Sequence, residues 1–167
     1  MEISFQTLVL FGAVILTGLS AGFFYAWLVS VIPGTKKVDG SVYLETMQSI
    51  NRAILNPAFF LIFFGSLIFL SIGSVYQFNT GKTTFWFMLA ASLLYLIGTV
   101  GVTGLGNVPL NNKLDALNVN EKSSKRILEF RNYYESKWNR LHLIRTIFAV
   151  HSFLLSVAAL FTHLKNI

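Results

Sequence analysis

A run of charged, aromatic and small polar residues near the C-terminus recurs at alternating steps of four and three. The run comprises Arg131, Glu135, Trp138, His142, Arg145, Ala149, Ser152 and Ser156. That spacing places all of these side chains on one face of a helix. On this face His142 is a candidate general base, and Arg145 is a candidate stabiliser of a developing anion. Because Arg145 lies about one turn inside an apolar segment long enough to span a membrane, its ionised guanidinium needs a partner or water.

A second polar stripe recurs every four residues upstream of Pro109. It comprises Tyr95, Thr99, Thr103, Asn107 and Asn111. A strict period of four drifts slowly around an α-helix, and Pro109 interrupts it, so this face is less sharply defined than the first. Gln48, Asn51 and Arg52 precede another apolar segment. All three groups are expected at the same end of the molecule.

Each of these residues also has a purely structural interpretation. Threonines in apolar helices commonly bond their own backbone, and asparagines satisfy helix ends. Arg145 is equally typical of an interfacial arginine whose charged head extends to water. Trp138 fits an interfacial aromatic anchor, and a lone His142 fits a satisfied interfacial histidine. The pattern alone leaves both interpretations open.

The elements that must position these residues are membrane-spanning helices. The chain has 167 residues, of which 54% are hydrophobic and only 12% charged, whereas soluble domains carry about 25% charged residues. Windows without Asp, Glu, Lys or Arg run over 3–35, 53–81, 83–112 and 146–164. Each is close to or longer than the roughly 20 residues that a span needs. We therefore predict spans near 8–32, 57–78, 85–106 and 141–163 in a single membrane domain, 1–167.

The predicted fold is an all-α membrane four-helix bundle with a long amphipathic helical extension before the fourth span. Apolar residues at helical spacing predict a short interfacial helix from Tyr43 to Ile54, and Asn56 is expected to cap the second span. Neither proline nor glycine follows Pro109. One helix is therefore expected to run from there into the fourth span. An Asn118-x-x-Glu121 capping box is predicted on the way.

A Gly-x-x-x-Gly pair in the first span predicts a close approach by another helix. Gly18, Gly22 and Ala26 share one helical face. Small residues at this spacing let the backbones of two membrane helices come close together. We therefore expect this face to pack against a neighbouring span.

The distribution of basic residues predicts an orientation. The two loops on one side carry Lys36, Lys37, Arg52, Lys113, Lys122, Lys125, Arg126, Arg131, Lys137 and Arg140, which is ten, against Lys82 and Lys165 on the other. The basic side is expected to be cytoplasmic. Both termini would then face outward, with the protein in a bacterial inner membrane.

Metal and cofactor sites receive little support from the sequence. There is no cysteine, so thiolate sites are excluded. His142 and His151 are nine residues apart and lie on roughly opposite sides of a helix, while His163 is expected near the other membrane face. Neither a metal nor a cofactor is therefore expected. Haem ligation by His151 remains an alternative, although no second histidine on another span would complete a bis-histidine site.

Several short elements together resemble the anthrone-oxygenase-like family of small membrane proteins. They are Gly18-Leu19-Ser20-Ala21-Gly22, Pro33-Gly34, Met47-Gln48-x-x-Asn51-Arg52, Asn56-Pro57-x-Phe59, Thr103, Asn107-Val108-Pro109-Leu110-Asn111 and Trp138-x-x-x-His142-x-x-Arg145-Thr146. The most specific elements are the one that begins at Asn107 and the one that begins at Trp138. Together, the elements extend through nearly the whole chain.

This resemblance implies an oxygenase that converts an anthrone into an anthraquinone without metal or flavin. The implied catalytic residues are His142 as base, with Arg145, Asn51 and Asn111 stabilising the enolate. The implied substrate-binding residues are Gln48, Asn107, Trp138, Phe59 and Thr103, and Phe60 would also line an apolar slot. The implied partners are the lipid bilayer and a small apolar aromatic or quinone-like molecule. A homo-oligomer is compatible with the sequence, and no nucleic acid is expected.

Three functional interpretations follow, and the sequence does not decide whether the chain is an enzyme. The first is a membrane-embedded oxidoreductase acting on an anthrone-like or quinone-like substrate. The second is a non-catalytic membrane protein that binds a lipid or quinone. The third, a small oligomeric transporter, is the weakest, because four helices alone hardly enclose a wide path.

Overall fold

The computed structural model describes residues 4–165, which form an all-α bundle. The helices are α1 Phe5–Thr35, α2 Gly40–Ala53, α3 Pro57–Gln77, α4 Lys82–Asp115 and α5 Ser124–Leu164. A 3₁₀ turn, Val119–Glu121, lies between α4 and α5. In the described part of the chain, α1, α3, α4 and α5 are each long and apolar enough to cross a membrane. These helices are compatible with an integral membrane protein, as predicted.

The four long helices form a ring in which each packs against two others. Helix α1 packs on α3 and α5, and α4 closes the ring by packing on the same two. The short α2 lies across the end where α1 and α4 finish and α5 begins. We call this the basic end, because it carries the ten loop cations, and the other the opposite end. A separate apolar cluster at the basic end packs α2 against α4 and α5. It includes Tyr43, Met47, Leu114 and Trp138.

Two of the predicted connectors are confirmed. Helix α2 spans Gly40–Ala53, close to the predicted interfacial helix. The side chain of Asn56 caps α3, accepting a 3.0 Å hydrogen bond from the backbone N–H of Phe59. Pro57 follows as the first helical residue, where its missing N–H costs nothing.

The prediction of one helix from Pro109 into the fourth span is wrong. Helix α4 ends at Asp115, and α5 begins only at Ser124. The amide of Gln48 donates to the carbonyls of Leu114 and Leu117 at 2.8 and 2.9 Å. Those carbonyls therefore have partners without a further helical turn. The predicted capping box is also wrong, because Asn118 makes no capping bond. The long extension itself is confirmed, since α5 has 41 residues.

The predicted close approach at Gly22 is wrong as well. A Cβ at Gly22 would meet nothing within 4 Å. The expected approach is found at Gly18 instead, where a Cβ would lie 3.1 Å from the ring of Phe153 on α5. The face of α1 that packs inward contains Thr17, Ala21 and Phe24 instead. The tightest glycine lies in α4, where a Cβ at Gly98 would overlap the ring of Phe148.

Three π-helical turns interrupt the spans near the polar residues. They are Trp27–Val31 in α1 and Tyr95–Gly101 and Thr103–Asn107 in α4. A π-turn closes over five residues and is wider than an α-turn. This widening offsets the drift of a four-residue repeat, so Tyr95, Thr99 and Asn107 all remain buried. The second polar stripe thus faces the interior along its length.

Candidate functional site

His142 lies at the centre of the polar cluster, fully buried on the inner face of α5. Its Nδ1 accepts hydrogen bonds from Nε and Nη2 of Arg145, at 3.1 and 2.9 Å. Because a guanidinium can only donate, Nδ1 carries no proton. The other nitrogen, Nε2, therefore carries the proton and donates to the carbonyl of Phe24 at 3.0 Å. His142 is a neutral imidazole whose basic lone pair points at a cation.

Arg145 lies one turn deeper and is 7% exposed. Its guanidinium lies between the rings of Phe24 and Trp138, at 4.8 and 5.1 Å from their centroids. Nη1 also lies 3.5 Å from the hydroxyl of Thr103. Neither salt bridge among the described residues involves Arg145. The buried cation of Arg145 is therefore held by two aromatic faces, an imidazole and a hydroxyl. Its five N–H donors outnumber these hydrogen-bond partners.

A hydrogen-bonded chain joins this pair to α2 and α4. The amide of Asn51 donates to the hydroxyl of Tyr134 at 3.1 Å. That hydroxyl and the indole N–H of Trp138 both donate to Oδ1 of Asn111, each at 3.0 Å. Trp138 in turn stacks on His142, with ring planes 6° apart. Residues of α2, α4 and α5 therefore act together to hold the plane of the imidazole ring.

Asn107 has an unsatisfied acceptor. The residue is 1% exposed, and its amide nitrogen lies 3.5 Å from the backbone carbonyl of Trp138. Its Oδ1 has no hydrogen-bond partner among residues 4–165. Since nearly all buried polar atoms in proteins are paired, this oxygen lacks the donor that a buried acceptor normally has. Thr103 donates to the carbonyl of Thr99, and its hydroxyl oxygen faces Arg145.

The structure brings most of the predicted residues together, but not all of them. His142, Arg145, Trp138, Asn111, Asn51, Thr103 and Asn107 belong to one connected cluster. Gln48 instead binds the carbonyls at the end of α4. Phe60 is 39% exposed on the outer surface of α3, away from the cluster. Phe59 lines a cavity beside the cluster.

That cavity, which we call the Trp27 cavity, has a volume of about 370 Å³ and lies between α1, α2 and α3. Its walls include Ser20, Phe23, Trp27, Ile54, Asn56, Phe59 and Ile62. The ring of Trp27 is 5.8 Å from that of Trp138 and 6.4 Å from that of His142. One aromatic ring therefore separates an apolar cavity from the buried imidazole.

Three contributors to the cluster were not predicted from the sequence. Tyr134 lies four residues before Trp138, so the spacing that predicted the α5 stripe could have included it. Trp27 and the backbone carbonyl of Phe24 come from α1, which was predicted only to pack. The carbonyl has no signature in the sequence. The position of Trp27 depends on a π-turn that begins at that residue.

At the rim of the cluster, Tyr43 on α2 packs against Tyr134 with ring centroids 6.4 Å apart. Burial, together with the negative charge of Glu135, raises the pKa of Tyr43 well above its ordinary value. The guanidinium of Arg131 lies 4.7 Å from the same ring. Tyr43 is therefore a neutral phenol at physiological pH, and it supports Tyr134 by packing.

The three histidines occupy three separate environments on α5. His151 is exposed on the outer surface, and its Nδ1–H donates to the carbonyl of Ile147 in its own helix at 2.8 Å. His163 is buried at the opposite end. Among residues 4–165, no three His, Cys, Asp or Glu side chains are grouped to hold a metal ion.

A match to a protein-family model identifies the family of this chain. The model of the anthrone oxygenase family matches residues 58–155. The chain belongs to the anthrone oxygenase family. The matched region includes Phe59, Thr103, Asn107, Asn111, Trp138, His142 and Arg145, but it leaves out α2 with Gln48 and Asn51. No curated protein and no solved structure matches the chain.

Proposed function

We propose that this member of the anthrone oxygenase family is a membrane-embedded oxygenase acting on an anthrone-like or quinone-like aromatic molecule. The observation that carries the proposal is the buried His142–Arg145 pair. A cation without a carboxylate partner is costly inside an apolar bundle. An anionic oxygen of a bound substrate would supply the missing charge. The base that creates that anion is already hydrogen-bonded to the cation.

The proposed reaction needs molecular oxygen and no bound cofactor. A base removes one proton from the CH₂ carbon of the anthrone. This leaves an enolate whose negative charge lies mainly on the former carbonyl oxygen. The enolate gives one electron to O₂, and the resulting carbon radical and superoxide combine at the same carbon. The peroxide anion so formed takes back the proton held by the base and becomes a hydroperoxide. Loss of the second proton of that carbon with hydroxide leaves a C=O group and one water. One oxygen atom enters the product, and the other leaves as water.

In this proposal, the two residues exchange partners when substrate binds. At rest, Nδ1 of His142 accepts from Arg145. When substrate binds, the guanidinium donors move from Nδ1 to the carbonyl oxygen of the substrate. Their hydrogen bonds to this oxygen strengthen as it becomes negative, because charged hydrogen bonds are stronger than neutral ones. That movement frees the Nδ1 lone pair for the proton. Nε2 keeps its hydrogen bond to the carbonyl of Phe24, which holds the ring in place.

The remaining cluster residues would position these groups and the substrate rings. The chain from Asn51 through Tyr134 and Asn111 orients Trp138, which lies against His142. The Trp27 cavity, with Phe59 in its wall, would hold the apolar rings once Trp27 rotates. Oδ1 of Asn107 would accept a hydroxyl of the substrate, since it has no donor among the described residues.

The deciding experiment measures oxygen uptake with anthrone as substrate by protein in lipid nanodiscs. The spontaneous rate in nanodiscs without protein is subtracted, because anthrones also oxidise on their own in base. His142→Ala should lower the protein-dependent rate by about 100-fold or more, which is the usual contribution of a general base. The matched control is His151→Ala, on the same helix but outside the cluster. Equal turnover in wild type and His142→Ala would refute the role of the base.

A second candidate is a non-catalytic protein that binds a quinone, and one observation favours it. Both nitrogens of His142 are occupied at rest, which is typical of a satisfied structural histidine. Such a protein would retain ubiquinone-type ligands, quench tryptophan fluorescence on binding and consume no oxygen with anthrone. Ring contact at Trp27 or Trp138 predicts that Trp138→Phe reduces the quenching.

We further propose that the whole chain is one membrane domain, with the basic end on the cytoplasmic side of a bacterial inner membrane. The excess of Lys and Arg at that end supports this orientation. The chain contains no cysteine, so single cysteines report topology without background. Lys122→Cys should be protected from an impermeant thiol reagent in intact cells, and Thr80→Cys should react. The reverse pattern would invert the proposed orientation.

A further inference from the structure

A groove on the outer surface of the bundle, away from the His142 cluster, has the shape and charge of a lipid site. It lies between α4 and α5 and consists of two adjoining depressions that share Gly106 and Leu141. The upper depression, at the basic end, has a volume of about 400 Å³, and the lower one, within the span, about 570 Å³.

The upper depression is cationic. Lys113 of α4 and Lys137 and Arg140 of α5 all line it. The ammonium groups of both lysines lie on the ring of Tyr133, at 5.9 and 4.3 Å from its centroid. Within residues 4–165, none of these three cations takes part in a salt bridge. Because like charges this close together repel each other, binding of an anion between them would be favourable.

The lower depression is apolar and open to lipid. Its walls include Ile97, Val102 and Leu105, and Leu105 is 88% exposed. Gly101 and Gly106 lie along the groove on the wall formed by α4. A Cβ at Gly106 would meet the side chain of Leu141 at 2.9 Å. The absence of side chains at these positions keeps the groove open.

The dimensions match one lipid in one leaflet. Lys113 and Ile97 are 16 residues apart on α4, which corresponds to at most roughly 24 Å at the α-helical rise. The two π-turns between them shorten this distance, because a π-turn holds more residues than an α-turn. The hydrocarbon of one leaflet is roughly 15 Å deep, half of the bilayer core. A headgroup bound at the cations would therefore leave an acyl chain lying along the groove.

We propose that this groove binds an anionic phospholipid, with its phosphate between Lys113, Lys137 and Arg140 and an acyl chain against Val102 and Leu105. The cations favour an anionic headgroup, and the apolar groove favours a ligand with an acyl chain. Free phosphate satisfies only the first of these requirements. The proposal is independent of the oxygenase reaction, because no residue of the groove belongs to the His142 cluster.

Native mass spectrometry of the detergent-purified chain tests the proposal with dioleoyl phosphatidylglycerol and dioleoyl phosphatidylcholine. We expect wild type to retain phosphatidylglycerol at least fivefold more than phosphatidylcholine. The variant Lys113→Gln/Lys137→Gln/Arg140→Gln should lose that preference. The control Lys122→Gln/Lys125→Gln/Arg126→Gln removes the same charge from the same end of the molecule and should keep it.

A second variant tests the groove rather than the charge. Val102→Phe fills the lower depression and should reduce retention of phosphatidylglycerol about threefold or more, with all cations intact. Equal retention of the two lipids by wild type, or equal losses in the two triple variants, would overturn the proposal. Displacement of bound phosphatidylglycerol by millimolar inorganic phosphate would also overturn it, since a simple phosphate site would then explain the result.

Discussion

The basic end and the opposite end of the bundle each bury a histidine of α5, and the two histidines are satisfied in different ways. At the opposite end, the amide nitrogen of Gln77 lies 3.2 Å from Nδ1 of His163, and the hydroxyl of Thr7 lies 3.0 Å from Nε2. An amide nitrogen only donates, so Nδ1 accepts and Nε2–H donates to Thr7. At the basic end, Nδ1 of His142 accepts from a charged guanidinium instead.

This difference distinguishes a fully paired polar cluster from an incompletely paired one. Every partner of His163 is neutral, and the three residues join α1, α3 and α5 with both ring nitrogens in use. The His142 cluster contains a cation without a carboxylate partner, and an asparagine oxygen without a donor among the described residues. Burial of polar groups alone is therefore a weak indication of function, whereas incomplete pairing is a strong one.

The largest expected effect follows from removing the charge of Arg145. Arg145→Gln should lower the rate of oxygen uptake with anthrone about 100- to 1,000-fold, the usual loss when a donor to a developing oxyanion is removed. The thermal unfolding temperature should not fall, because the variant no longer buries an unpaired charge. Arg126→Gln, on the exposed surface of the same helix, is the control. A large loss of stability with little loss of rate would make Arg145 structural, like His163.

A smaller effect, and one on stability alone, is expected at the opposite end. His163→Ala leaves Gln77 and Thr7 without their partner, which should lower the free energy of unfolding by about 1–3 kcal/mol. The rate of oxygen uptake per folded molecule should be unchanged, because the cluster at the basic end is intact. Unfolding in increasing SDS and oxygen uptake, measured on the same preparation, check both statements. A parallel fall in rate would show that the two ends are coupled.

The sequence was sufficient to predict the spans and most residues of the His142 cluster, but not Tyr134, Trp27 or the pairing within the cluster. Charge-free windows mark membrane helices because charge is so costly in hydrocarbon. Regular spacing then places His142 and Arg145 on one face of α5. Which face of α1 would meet them was not predictable, and the glycine pattern pointed to Gly22 rather than to Phe24. A backbone carbonyl acceptor carries no information in the side-chain sequence.

The π-turns and the break before α5 were missed for related reasons. A π-turn leaves only a weak trace in composition, here the frequent glycines between Gly98 and Gly106. The break after Asp115 depends on Gln48, which is 66 residues from the carbonyl it binds. Local sequence near Pro109 favoured continuation, and a tertiary hydrogen bond satisfies the helix end instead. The family resemblance implied substrate binding by Gln48, and in the structure its side-chain amide donates to the carbonyls of Leu114 and Leu117 at the end of α4.

A still smaller effect is expected where Trp138 meets Asn111. Trp138→Phe keeps an aromatic ring against His142 but removes the indole N–H that donates to Asn111. The loss of one hydrogen bond, about 1 kcal/mol, should slow oxygen uptake about fivefold. Asn111→Ala should behave similarly, and the double variant should be no slower than the worse single one. Fully additive losses would show that the two residues act independently.

The smallest effect is expected at His151, the third histidine of α5. Its Nδ1–H is satisfied within its own helix, and the ring lies on the outer surface of the bundle. His151→Leu replaces a polar ring with an apolar side chain that hydrocarbon solvates well. The unfolding free energy should therefore stay within about 0.5 kcal/mol of wild type or rise slightly, with an unchanged rate. A Soret band in the purified wild-type protein that disappears in His151→Leu would instead make this residue a haem ligand.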